Sequence, residues 1–310
     1  RRTTPGKPAA DRYFRRPGPQ VPFLPVQSLQ AARAGPGQTG PAATNDRGHS
    51  SDEAGGPATD EEEGDTMISY AQNFEDVVLN RVFHGVANGR YVDIGAWHPA
   101  LDSVTKHFYD HGWSGVNVEP VERFHAGFVA ARPRDWNLNV CVGVEAGTVE
   151  MQEWGDTGLA TIRDTLDPAA LARLGYAGTT RKVPMTTLAD ITRQLDGRDV
   201  QFLKIDVEGA ERDVILGGEW RAFRPRVIVI EAIRPKLPGS DPHSYEPTWH
   251  QWEGLLFGHG YEFALFDGLN RFYYRREEPA LRGPLSYPAN VTDGFRLVHG
   301  HCLASSAPAA

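Results

Sequence analysis

Cysteine is scarce in this chain: only Cys141 and Cys302 occur in 310 residues, far apart and outside any CxxC spacing. That excludes a disulfide framework and a cysteine-based zinc site, and it is the thiol usage of a cytoplasmic protein. No run of about 18 apolar residues occurs, so no segment reads as a membrane span. The Arg1-Arg2 pair has no apolar stretch behind it, which argues against a secretory or twin-arginine signal. A cationic surplus is also missing: 32 Lys and Arg face 40 Asp and Glu, a net charge of −8. The first 66 residues hold 8 basic and 9 acidic side chains, so the acidity belongs to residues 67–310. An acidic body cannot neutralise a phosphate backbone, and nucleic acid is excluded as the expected partner. The 11 histidines show no HExxH or other ligand spacing.

Residues 1–66 also lack hydrophobic periodicity. They run through Pro, Gly, Ala and Arg to the acidic cluster Asp60-Glu61-Glu62-Glu63, too polar to offset the entropy of ordering, and are predicted to be a disordered tail. Met67 is the first methionine and stands directly before the first periodic pattern, so the upstream segment either precedes the natural start or is a genuine tail. A single domain is expected over 67–278, with 279–310 as a partly disordered C-terminal extension.

Within the domain, Ser69-Tyr70-Ala71-Gln72 reads as a capping box for a helix running to about His84. Arg90–Gly95 reads as a strand, Asp102–His111 as a helix stopped by Gly112, and Gly115–Glu119 as a second strand, a βαβ unit. A helix over Arg123–Ala131 and a strand over Trp136–Val142 complete a parallel half-sheet. Residues 155–181 read as a polar connection with a helical piece near Asp167–Leu174, long enough to serve as a lid. The run Gln201-Phe202-Leu203-Lys204-Ile205-Asp206-Val207-Glu208-Gly209-Ala210-Glu211 reads as a buried strand opening onto a helix, with a further strand at Arg226–Glu231. A Pro-rich loop over 234–247, a helix over Trp249–Phe257 and an antiparallel hairpin, Tyr261–Phe266 with Arg271–Arg275, close the domain.

Asp93, Glu119, Asp206 and Glu231 thus all fall at carboxyl ends of strands in a mostly parallel sheet, where open α/β folds place their ligands. One such acid alone reads as a helix cap or a solvated loop residue; four together point to a site. Glu119 closes the second strand, where a carboxylate takes both hydroxyls of a ribose. The turn Gly95-Ala96-Trp97-His98-Pro99 has one glycine where a dinucleotide site wants three, and Trp97 and Pro99 obstruct a pyrophosphate. The ligand expected is therefore an adenosine without phosphates.

Tyr91-Val92-Asp93-Ile94-Gly95-Ala96, Val118-Glu119-Pro120, Phe202 through Glu211, and Asp267-Gly268-Leu269-Asn270-Arg271-Phe272 resemble the FkbM family of S-adenosylmethionine-dependent methyltransferases. The similarity runs from about Ile68 to Phe295. The resemblance implies a class I methyltransferase, Rossmann-like α/β fold: a seven-stranded, mostly parallel sheet with an antiparallel C-terminal hairpin and helices on both faces. It implies S-adenosyl-L-methionine as cofactor, with Asp93, Gly95, Ala96, Glu119, Pro120, Val142 and Asp206 at its pocket. It also implies methyl transfer to a hydroxyl of a sugar, glycoconjugate or natural product. Trp97-His98-Pro99 departs from the pattern at the methionine end.

Asp206, Glu208 and Glu231 are the candidates for the general base that accepts the acceptor's proton. Their plain alternatives are pocket shaping for Asp206, helix capping for Glu208 and an ion pair with Arg234 for Glu231. A divalent metal on these acids is possible but not indicated, and His98 reads as a loop residue. Tyr176, Tyr245, Trp249 and Trp252 on two long insertions suit a sugar ring, the alternative being that both tryptophans form the apolar face of their helix. The alternative to an enzyme is a methyltransferase-like protein that binds ligand or partner without turnover.

Overall fold

The computed structural model describes residues 66–301 except 156, 164–166, 196 and 235–244. The expectations for residues 1–65, for most of the Pro-rich loop and for Cys302 lie outside the described residues. The described chain begins with β1 (Met67–Ser69), α1 (Glu75–Val82), β2 (Arg90–Ile94), α2 (Lys106–Asp110), β3 (Ser114–Val118), α3 (Glu122–Ala131) and β4 (Trp136–Leu138). It continues through β5 (Cys141–Gly143), β6 (Gly147–Trp154), β7 (Ala160–Thr161), α4 (Pro168–Arg173), β8 (Gly178–Thr187) and α5 (Leu188–Thr192). It ends with β9 (Phe202–Ile205), α6 (Glu211–Leu216), β10 (Val227–Glu231), α7 (Glu253–Gly258), β11 (Tyr261–Phe266), β12 (Asn270–Arg275), α8 (Arg282–Leu285) and β13 (Phe295–Leu297).

Seven strands form one mixed sheet in the order β11-β12-β10-β9-β2-β3-β4. The pairs β10–β9, β9–β2, β2–β3 and β3–β4 are parallel, and β12 runs antiparallel to both its neighbours. The central strands are apolar on both faces, as a sheet covered on both sides requires. Val92, Ile94, Leu203, Ile205, Ile228 and Ile230 pack with residues of α5, α6 and α7. Tyr91, Phe202, Val227, Val229 and Phe272 pack with α1, α2 and α8 on the other side. Each such side chain, fully buried, contributes about 1.5–3 kcal/mol. Residues 279–301 take part in this: Leu281 and Leu285 enter the second cluster, and β13 pairs in parallel with β1.

The expected capping box is not formed. Ser69 ends β1, and α1 starts six residues later behind Phe74, whose backbone is left-handed. The Asp76 carboxylate in the first turn takes the Ser69 hydroxyl at 2.7 Å and the Tyr70 and Ala71 N–H groups instead. The helix captures the strand rather than the serine capping the helix. The expected single strand over 136–142 is two strands in different sheets. Asn139 sits at the break, its amide donating to the Glu119 and Pro120 carbonyls at 3.0 and 2.9 Å.

The segment 155–181, expected as a loop, is drawn into a second, four-stranded sheet, β5-β8-β6-β7. Its long pair, β6 with β8, is antiparallel over Gly147–Trp154, and Met151 and Val183 join Val121 and Cys141 in a separate small core. The helical piece near Asp167 is α4, capped by the Asp167 carboxylate on the Ala169 N–H.

Candidate active site

The ends of β2, β3, β9 and β10 open onto a cavity of about 520 Å³, the size of a small-molecule site. Gly95 and Ala96 reach it from β2, Glu119 and Pro120 from β3, Asp206 and Glu208 from β9, and Glu231 from β10. Val142 lines it from the second sheet. Of the cofactor residues expected from sequence, Asp93 alone does not line the cavity: it is 1% exposed and lies behind the wall.

Gly95 is required by backbone contact as well as by conformation. Its φ is +82°, and a Cβ there would run into the carbonyl oxygen of Asp206. The turn and the end of β9 therefore touch through main chain, which brings Asp206 beside the β2 turn. Five described non-glycine residues have positive φ, and three of them, Trp97, Asp102 and Glu208, line this cavity. Strain of that kind persists only where surrounding structure enforces it, and here it concentrates at the candidate site.

Glu119 is 5% exposed. One carboxylate oxygen takes the Trp97 N–H at 2.9 Å and the other the Val121 N–H at 2.7 Å. Burial pushes its pKa up to about 7, while the two backbone donors pull it down. Each oxygen keeps a lone-pair direction free for a further donor.

Lys204 is the residue that sequence reasoning passed over. It lies in β9 opposite Asp93, its ammonium 3.5 Å from Asp93 and 3.2 Å from Asp206, and it donates to the Gly95 carbonyl at 3.0 Å. Burial alone would lower its pKa, but Asp93 and Asp206 outweigh burial and keep it charged. The signal was a lysine inside the apolar run Phe202-Leu203-Lys204-Ile205, since a buried ammonium demands counter-charges. Behind Asp93, Thr105 donates to its second oxygen at 3.4 Å. Arg132, 1% exposed, donates to Ser103 and approaches Asp135 at 3.8 Å, tying α3 to the loop below the glycine turn.

Asp206, Glu208 and Glu231 come together, with a carboxylate oxygen of each within 4.8 Å of the others. Burial first, and then the Asp206 charge, drives the pKa values of Glu208 and Glu231 well above the usual carboxylate range. Two plain alternatives are disposed of by geometry. The N–H groups of Val207 and Gly209 go to Glu211, so the loop is capped by that residue, and Arg234 pairs with Glu246. The Glu208 carbonyl accepts from the Thr161 hydroxyl at 2.8 Å, which fastens the second sheet over this loop.

His98 serves its own loop, its Nδ1 accepting from the Ala100 and Leu101 N–H groups. Tyr176, Tyr245, Trp249 and Trp252 do not line the cavity. Trp252 is core, edge-on to Tyr273, and Trp249 lies under the Arg271 guanidinium. The second sheet instead contributes Gly158, Leu159, Ala160 and Ile162, and Gln72, Ile233 and Leu269 line the cavity as well.

The model of the methyltransferase FkbM domain matches residues 93–263, more than half of the chain, and the chain belongs to that family. Among solved structures it is similar to the methyltransferase FkbM from Methylobacillus flagellatus KT, at 13% identity and a TM-score of 0.35. That similarity covers 61% of this chain and 43% of the other, so the chain spans less than half the length of the protein it matches. No curated protein matches it. Among the described residues, no helix is long and apolar enough to cross a membrane.

Proposed function

We propose that this chain is an S-adenosylmethionine-dependent O-methyltransferase with the class I, Rossmann-like arrangement, acting on a hydroxyl of a sugar, glycoconjugate or natural product. The observation that carries the reading is the delivery of Gly95, Glu119, Asp206 and Glu231 to one cavity by four neighbouring parallel strands in an FkbM-domain chain. The residues present fit the cofactor. Glu119 offers free lone pairs for ribose hydroxyls, Val140, Cys141, Val142, Met151 and Leu159 offer an apolar slot for adenine, and the buried Trp97 Nε1 has no acceptor. Asp93 acts from behind, through Lys204, by holding the Gly95 turn in place.

The cofactor, when bound, supplies a methyl on a sulfonium: the sulfur–carbon bond breaks as the acceptor oxygen bonds to carbon, leaving S-adenosylhomocysteine. The chain's share is to hold the acceptor oxygen in line and to take its proton. Asp206, Glu208 and Glu231 share that second task, and burial together with the neighbouring acids makes an ionised Glu208 or Glu231 a strong proton acceptor. Five acids and one lysine line the cavity, so its field disfavours an anionic acceptor and suits a neutral polyol or a cationic amino sugar.

The test is calorimetric titration of the full chain with S-adenosylhomocysteine, followed by an acceptor screen that begins with neutral and amino glycosides. Saturable one-to-one binding is expected. A folded chain that binds none overturns the reading.

A further inference from the structure

Three carboxylates that converge on one point ordinarily have donors or counter-ions. Asp206 has Lys204, shared with Asp93. Glu231 has neither. It is 9% exposed, lines the cavity, and receives no side-chain hydrogen bond among the described residues, while Arg234, the nearest candidate in sequence, is engaged by Glu246. An acid so buried and so aimed, without a proton donor, is the environment that a ligand completes.

We propose that Asp206, Glu208 and Glu231 form the protein part of a divalent-cation site for a hard ion of the Mg²⁺ or Mn²⁺ kind. Oxygens bound to one Mg²⁺ at about 2.0–2.1 Å lie no more than about 4.2 Å apart, and those on the slightly larger Mn²⁺ only a little more. The three carboxylate oxygens lie within 4.8 Å of one another, so a small side-chain rotation brings them onto one ion. The donor set is all oxygen, which selects hard cations over zinc or copper. One protein ligand from each of three positions leaves the remaining octahedral positions to water or to a bound ligand on the cavity side. A dication also places positive charge at the point where the three carboxylates converge. The left-handed backbone of Glu208 and the Thr161 bond to its carbonyl hold the main chain that carries this side chain.

The role of the ion rests on the methyltransferase reading, where it would hold two vicinal hydroxyls of the acceptor, but its binding does not. The test is therefore run without cofactor: Mn²⁺ is titrated into the full chain and free Mn²⁺ is followed by electron paramagnetic resonance. One bound Mn²⁺ per chain is expected, displaced by Mg²⁺, with Glu231→Gln and Glu208→Gln each weakening it at least tenfold. Circular-dichroism melts of the two isosteric variants establish that they are folded. The absence of saturable binding, or folded variants that bind as tightly as the natural chain, overturns the proposal. Binding of S-adenosylhomocysteine is measured in parallel. Cofactor binding without Mn²⁺ binding removes the ion and leaves the methyltransferase, whereas Mn²⁺ binding that depends on Glu231 without cofactor binding does the reverse.

Discussion

The two sides of the cavity treat their acids in opposite ways. On the β2–β3 side, both oxygens of Glu119 are held by backbone N–H groups, and Asp93 is enclosed by Lys204 and Thr105. On the β9–β10 side, Glu208 and Glu231 face Asp206 and each other, with their pKa values driven up. The first side has its hydrogen bonds and ion pairs in place, which suits recognition by fixed geometry under the proposed function. The second is left under electrostatic tension, which is how a site stores reactivity or affinity for a cation.

Lys204 joins the two sides, and removing it should have the largest effect. Lys204→Met leaves Asp93 buried without its counter-charge, and a loss of about 3–5 kcal/mol is expected in urea unfolding. A loss below about 1 kcal/mol would mean that the two sides stand independently. Next comes Glu119→Ala, which deletes a charged acceptor for two hydroxyls and should weaken S-adenosylhomocysteine binding by about 100-fold or more in calorimetry. Asp206→Asn, by contrast, should change that affinity by only about threefold and reduce turnover by about 10²-fold or more. Equal losses of affinity in both variants would erase the division between a recognising and a reacting side.

The pH dependence of stability gives a smaller and more diffuse signal. Burial raises Glu119 from 4.5 to about 7 and Glu75 from 4.5 to about 8, and Glu208 and Glu231 shift the same way. In each case the folded pKa exceeds the unfolded one, so the folded chain holds more protons. That contribution is fully present below about pH 4.5 and is lost as pH rises through 7 to 8. The Tm of the ligand-free chain should therefore fall between about pH 5 and about 8.5 in a buffer series. A flat profile over this window would show that these acids stay ionised in the folded chain. The smallest effect is expected from Glu75→Gln, which keeps the contact to Asn270 and should cost under about 1 kcal/mol at about pH 6 while flattening part of that slope.

The strands that carry the site were legible because their composition has one meaning. A run such as Val227-Ile228-Val229-Ile230 closed by Glu231 is apolar on both faces, which suits a central strand of a sheet covered on both sides. The mixed order with β12 reversed follows from the short Asp267–Asn270 connection. The second sheet was not legible, because β6 and β8 alternate weakly, with exposed Thr, Glu and Lys residues that look like loop. Ser69 misled for a different reason: its hydroxyl was read against the nearest backbone, whereas its partner is the Asp76 carboxylate seven residues on. In the site, the acids were visible one by one. Their convergence, the bridging of Lys204 and the missing donor at Glu231 are properties of the assembled sheet.

The Thr161 hydroxyl that holds the Glu208 carbonyl belongs to β7, the outermost strand of the small sheet. That hairpin lines the cavity together with the acids yet supplies none of the seven strands on which they stand. Insertions or exchanges in the hairpin away from Thr161 would redraw the wall of the cavity while leaving the seven-stranded scaffold and its acids in place. The shape of the cavity and the stability of its scaffold are thereby free to evolve at different rates within one chain.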